Sequence, residues 1–223
     1  MSKVGILAQS PGWLAIHKPA GVSFHSEDGT PGIVARCEAE LGQSLWPVHR
    51  LDKVTSGVLL FATDATMAAH LSQQFAEQKT RKLYLALSDK KPSKKQGWIK
   101  GDMEKARNGS YKLLRRQNNP AVTRFATQFD DAHATRWFLL RPYSGKTHQL
   151  RVAMKSLGAP ILGDARYSGS PSTRTCLHAW QLHFNDGTGE QHVTCLPDCP
   201  DWPVAPTEPV MEWLQITGLT LLK

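Results

Sequence analysis

Three observations agree with an α+β fold for this chain of 223 residues. Short apolar runs bounded by turn residues recur along it; Trp13-Leu14-Ala15-Ile16-His17 and Val58-Leu59-Leu60-Phe61-Ala62 each read as a strand. Between such runs lie stretches with apolar residues at helical spacing, 33–42 and 65–78. Hydrophobic residues make up 40% and charged residues 21%, ordinary for a chain that buries a core. The length fits one generous domain or two small ones, and a single domain over 1–223 is expected.

Charge narrows the partners. Against 27 Lys+Arg stand 19 Asp+Glu, for a formal charge of +8 and a pI near 9.4. Such an excess favours a polyanion, most simply RNA or DNA. An anionic membrane surface would call for a basic amphipathic helix or a lipidation motif, and the sequence has neither. No apolar run reaches membrane-spanning length, and Met1 to Leu7 contain no signal-peptide core. Cys37, Cys176, Cys195 and Cys199 are scattered and read as reduced thiols, so a cytoplasmic protein is expected.

In chain order, Lys18-Pro19-Ala20-Gly21 turns the chain after the first strand. Thr30 is the expected N-cap of the helix that Gly42 ends, with Pro31 in its first turn and Cys37 in the core. Thr55-Ser56-Gly57 reads as the tight turn that feeds the buried run Val58 to Ala62. Asp64 then caps the helix 65–78, with Met67, Ala68, Leu71 and Phe75 as its apolar stripe and His70 at the edge. Leu83 to Leu87 is a buried strand. The charged stretches 90–95 and 107–116 read as loops, equally suited to solvent and to phosphates. Strands at 121–129 and 135–140 form a hairpin, a helix starts near Thr147 and stops at Gly158, and a late strand covers 176–184. The stretch 195–209 is Pro-rich and irregular, and 210–216 closes the chain as a helix.

The most informative stretch is His49-Arg50-Leu51-Asp52-Lys53-Val54-Thr55-Ser56-Gly57. It puts Asp52 in a loop at the mouth of a core strand, between the cations Arg50 and Lys53. A lone Asp there is ordinarily a turn-capping residue. The whole string, however, resembles the catalytic motif of the RluA-type pseudouridine synthases, His-Arg-Leu-Asp-x-x-Thr-Ser-Gly, at every specified position. Further motifs follow in the family's order: Lys18-Pro19-Ala20-Gly21; Lys82-Leu83-Tyr84; Gly145-Lys146-Thr147-His148-Gln149-Leu150-Arg151; Pro160-Ile161-Leu162-Gly163-Asp164-Ala165-Arg166-Tyr167; and Leu177-His178-Ala179 with Leu182. The chain departs from the pattern after Phe184, where Asn185-Asp186-Gly187-Thr188-Gly189 stands in place of an early His-Pro. The resemblance runs from about Leu14 to Leu182. It leaves no room before Trp13 for the S4 RNA-binding domain of larger members.

The resemblance implies an α+β catalytic domain with a mixed, largely antiparallel central sheet, flanking helices and a basic active-site cleft. It implies isomerisation of uridines in tRNA or large-subunit rRNA, which involves neither redox change nor group donor and so needs no cofactor and no metal. Asp52 is the essential carboxylate, acting as a nucleophile or as a base at C2′. Burial alone would disfavour its anion, and Arg151 is the implied counter-charge. Tyr84 stacks on the flipped base, Arg50 fills the space it leaves, and Lys146 and Leu182 complete the substrate-binding set. His49 and His148 are expected to be structural. A monomer is expected.

Rival readings are weaker. Metal ligands drawn from His49, Asp52, His183, His192, Cys195 and Cys199 lack a recognised zinc spacing. A serine hydrolase would need a Gly-x-Ser-x-Gly elbow that is absent. A non-catalytic RNA-binding module fits the charge equally well, but has no use for a desolvated carboxylate facing a polyanion.

Overall fold

A computed structural model describes residues 4–197 and 202–222; Cys199, raised above as a metal ligand, lies outside them. In chain order the elements are β1 (Gly5–Ser10), β2 (Trp13–Lys18), α1 (Ile33–Leu41), β3 (Trp46–Pro47), β4 (Ser56–Ala62), α2 (Ala65–Ala76), β5 (Arg81–Ser88), β6 (Gln96–Gly101), β7 (Met103–Lys105), β8 (Tyr111–Leu113), β9 (Ala121–Asp130), β10 (Thr135–Pro142), α3 (Gln149–Ser156), β11 (Leu177–Asn185), β12 (Glu190–Thr194) and α4 (Glu208–Leu222). The class is α+β, with mostly antiparallel strand pairing. Two compact units divide the chain: Met1–Lys82 with Ala179–Pro197, and Leu83–His178 with Asp198–Lys223. The chain passes between them inside β5 and inside β11.

The first unit is organised around β4, which is buried along its whole length. β2 pairs with it antiparallel, Trp13 opposite Ala62 and Lys18 opposite Gly57, and β1 pairs with the outer side of β2. Trp13, Val58, Leu60, Leu71 and Phe184 share one apolar core, and Trp13 meets Phe184 edge-on at 5.1 Å. Asp64 caps α2 as expected, its carboxylate accepting the Met67 N–H at 2.8 Å. Two boundaries differ from expectation. The N-cap of α1 is Gly32, because Thr30 is held back in a two-residue bridge with Glu27. β4 already begins at Ser56, so Ser56 and Gly57 belong to the strand and the turn is Asp52 to Thr55, closed by Thr55 N–H to the Asp52 carbonyl at 3.0 Å.

Asn185 to Gly189, the departure from the motif pattern, is the hairpin turn between β11 and β12. Asp186 organises it. Its carboxylate accepts from the Thr188 N–H and hydroxyl, the Gly189 N–H and the Trp13 indole. Burial alone would raise this carboxyl's pKa; the bonds from Thr188, Trp13 and Gly189 overcome that and bring it down to about 2.

In the second unit β10 lies between β5 and β9, and β6 pairs with the outer side of β9, all antiparallel. The charged stretch 107–116, expected as loop, contains β8, which pairs with β7 as a small separate hairpin. Its weak alternation and short length hid it from the sequence. Within 195–209, Trp202 is buried and packs on Trp137, with centroids 6.0 Å apart. α4 continues past 216 to Leu222, and Arg124 and Arg141 donate to its last carbonyls at Thr220 and Leu221. No helix among the described residues is long and apolar enough to cross a membrane.

Candidate active site

The Asp52 loop is held from behind by a lysine. Lys18 ends β2 and its side chain is fully buried. Its ammonium donates to the carbonyls of Pro19 (3.0 Å), Lys53 (3.2 Å) and Thr55 (2.8 Å). The Gly21 N–H also reaches the Lys53 carbonyl, at 2.8 Å. The backbone that directly follows Asp52 is thereby pinned, by the ammonium through charge-assisted bonds, which are about twice as strong as neutral ones. Gly57 closes the loop. Its φ is +109°, and a Cβ there would lie 2.2 Å from the Ala179 carbonyl oxygen, so no larger residue fits.

Asp52 itself is half-buried and Arg50 is exposed. Lys53, expected beside Asp52 as a counter-charge, instead turns its ammonium to Glu27 at 3.5 Å. Both partners are largely exposed, so that pair adds little stability. Arg50 forms no hydrogen bond or ion pair with other described residues. His49 is structural. Its Nε2 accepts the Leu60 N–H at 2.9 Å and its ring stacks on Phe75 at 4.5 Å. Burial, joined by the charge of Lys82, lowers its pKa to about 3. A neutral imidazole whose Nε2 already accepts a backbone proton is available neither as an acid there nor as a metal ligand through that atom. Leu182 belongs to the apolar core of this unit at 2% exposure. Expected in the substrate-binding set, it lies in the layer that holds Trp13 and Leu60, where strand alternation points it.

In the second unit, Tyr84 lies on β5 opposite Leu140 of β10 and is half-buried. Arg151 is the third residue of α3 and is 5% exposed. Its Nε and Nη2 donate to the two carboxylate oxygens of Asp164, both at 2.7 Å. The Gly145-to-Arg151 motif is tied internally by Gln149. This side chain accepts from the Ser144 hydroxyl and the Lys146 N–H, and donates to the Val122 carbonyl and the Thr123 hydroxyl. His148 caps α3 in the left-handed region at φ +59°, its Nδ1 2.8 Å from the Tyr167 hydroxyl. The Lys146 ammonium donates to the Asn119 carbonyl.

Residues 12–156 match the RNA pseudouridylate synthase family. An RNA pseudouridine synthase of Haemophilus influenzae, named as uncharacterized, is 45% identical over 217 residues, 96% of each chain. The chain belongs to this family. It is also 32% identical to the dual-specificity RNA pseudouridine synthase RluA of Escherichia coli, over 80% of this chain and 83% of that one. It is 32% identical to tRNA pseudouridine synthase C of Pasteurella multocida, over 85% and 88%. Among solved structures, human RNA pseudouridylate synthase domain containing 4 superposes with a TM-score of 0.69 at 26% identity, covering 87% of this chain and 89% of that one. The chain is therefore a small RluA-type RNA pseudouridine synthase, an isomerase of RNA uridines.

The family match includes Asp52, Tyr84, Lys146 and Arg151. Two members of the site escaped the sequence. Lys18 read as part of a turn, and its three carbonyl partners became visible only when residues 35 and 37 positions away were in place. Asp164 read as one more motif residue. The signal available was its spacing of 13 residues from a buried arginine, which no local rule interprets.

Proposed function

We propose that this enzyme converts a uridine of tRNA or large-subunit rRNA to pseudouridine, with Asp52 as the essential catalytic carboxylate. The supporting observation is the fully buried Lys18 ammonium, which pins the backbone that directly follows Asp52. In the reaction the N1–C1′ bond of the nucleotide breaks, the uracil turns, and a C5–C1′ bond forms. The C5 hydrogen leaves as a proton and N1 gains one, so atoms balance without any cofactor. Asp52 acts at the ribose or the base, Tyr84 stacks on the flipped uracil, and Arg151 supplies the positive charge that keeps the reacting carboxylate ionised. Stacking is worth on the order of 1–3 kcal/mol, comparable to the cost of flipping. Arg50, exposed and without a partner among the described residues, is suited to enter the space the base leaves. The names of the relatives favour tRNA as the first substrate to try. The same reading makes the protein a cytoplasmic monomer.

Tritium release from transcripts of tRNA and rRNA carrying 5-tritiated uridine tests this directly, since C5 loses its hydrogen only when the new bond forms there. Wild-type enzyme should release tritium, and Asp52→Ala should lower release by roughly 10²–10⁴-fold or more. Release that survives Asp52→Ala would remove Asp52 from its role. RNA binding without release by wild type would favour a binding module instead.

A further inference from the structure

We propose that Asp164 is a positioning residue for the reaction: it locks the Arg151 guanidinium in one orientation. This rests on the reading that Arg151 serves the reaction, and goes beyond it in naming what aims Arg151.

The pair is costly as a purely structural device. Arg151 lies in the first turn of α3, where the helix dipole disfavours a cation, and that turn contains no acidic residue to offset it. Both partners are removed from water, at 5% and 1% exposure. A buried ion pair is a weak source of stability compared with apolar residues of similar size. What the pair does supply is direction. Nε and Nη2 form one edge of the guanidinium fork, and both are committed to Asp164. The ring of Tyr167 covers the guanidinium face, with Cζ 4.9 Å from its centroid. Tyr167 is itself fixed, since its hydroxyl accepts the Tyr111 N–H at 3.1 Å and meets His148 Nδ1. One edge and one face of Arg151 are therefore walled.

Asp164 is built to be immobile. Its N–H donates to the Ile161 carbonyl (3.0 Å), and its carbonyl accepts from the Tyr167 N–H (3.0 Å) and the Gly169 N–H (2.9 Å). The glycines around it are obligatory. A Cβ on Gly163, at φ +79°, would lie 1.8 Å from the Arg174 carbonyl oxygen, and one on Gly169 would lie 1.9 Å from the Ile161 carbonyl oxygen. The loop is shaped to deliver one carboxylate to one place.

The test compares wild type, Asp164→Asn and Asp164→Glu in three measurements: the single-turnover rate of tritium release with enzyme in excess, the Kd for the same RNA, and the melting temperature. Asn removes the charge and one acceptor; Glu keeps the charge but moves it by one methylene. Below its melting transition, Asp164→Asn should lose on the order of 100-fold in single-turnover rate, as misplacement by about 1 Å does. Its Kd should stay within about threefold of wild type. Asp164→Glu should be intermediate, and is read by the same criteria if the Asn variant is unfolded at the assay temperature. A folded variant with the wild-type rate and only a lower melting temperature would make Asp164 merely structural. A rate loss matched by an equal loss of RNA affinity would also overturn the proposal. Absence of release by wild type would instead sink the underlying reaction, and Asp164's role with it.

Discussion

Asp52 and Arg151 are both held rigidly, but by opposite means. Around Asp52 the protein fixes the main chain, with a buried ammonium gathering the carbonyls of Lys53 and Thr55. At Arg151 it fixes the side chain, with a buried carboxylate taking two nitrogens of the guanidinium. The difference follows from where each residue sits. Asp52 is on a loop, whose backbone would be mobile without tethers, and its short side chain has few rotamers. Arg151 is on a helix that already sets its backbone, while its long side chain carries about 2 kcal/mol of rotamer entropy. Each anchor removes the freedom that its local structure leaves.

Breaking the main-chain anchor should have the largest effect. Lys18→Met keeps the apolar stem but removes the ammonium from three carbonyls, of which that of Lys53 keeps a second donor, and is expected to cost roughly 3–5 kcal/mol in urea unfolding. If stability were unchanged, the loop would be held by something other than Lys18. Weakening the side-chain anchor should be felt in chemistry more than in folding. Arg151→Lys cannot form the two-pronged bond to Asp164, and its kcat should fall by about 10–100-fold. Near-normal turnover would show that a point charge suffices there.

The smallest effect is expected at Asp186, a carboxylate that anchors a hairpin and takes no part in the proposed chemistry. Its folded pKa lies below the unfolded value of about 3.9. The stability it contributes is therefore fully present above that value and is lost as pH falls toward about 2. At about 1.4 kcal/mol per pKa unit, Asp186→Asn should cost roughly 2 kcal/mol at pH 7. It should also flatten the acid limb of stability between about pH 4 and 2. An unchanged acid limb would mean that other carboxylates govern it.

Much of this was legible in the residues. The alternation and spacing of apolar side chains located β2, β9, β10, α2 and α3, and the Asp64 cap was readable because it acts within one helical turn. The string around Asp52 identified the family. What the sequence left open were the short pairings of β1, β7, β8 and β12, too brief or too polar for a strand pattern, and the start of α1, where the Glu27–Thr30 bridge outcompeted a favourable capping residue. Leu182 stayed open in the sequence because an apolar motif position is equally consistent with a pocket floor and with a core.

The sequence by itself determined the reaction class and the local elements that bear the motifs, since both depend on residue type and near-neighbour order. Only the tertiary structure decided how those residues are aimed. That Lys18 serves carbonyls across 35 to 37 residues, that Gly57 must clear Ala179, and that Arg151 is gripped by Asp164 are facts of packing. A buried charge must find a partner wherever the fold puts one, and the partner's position in the chain carries no mark of it.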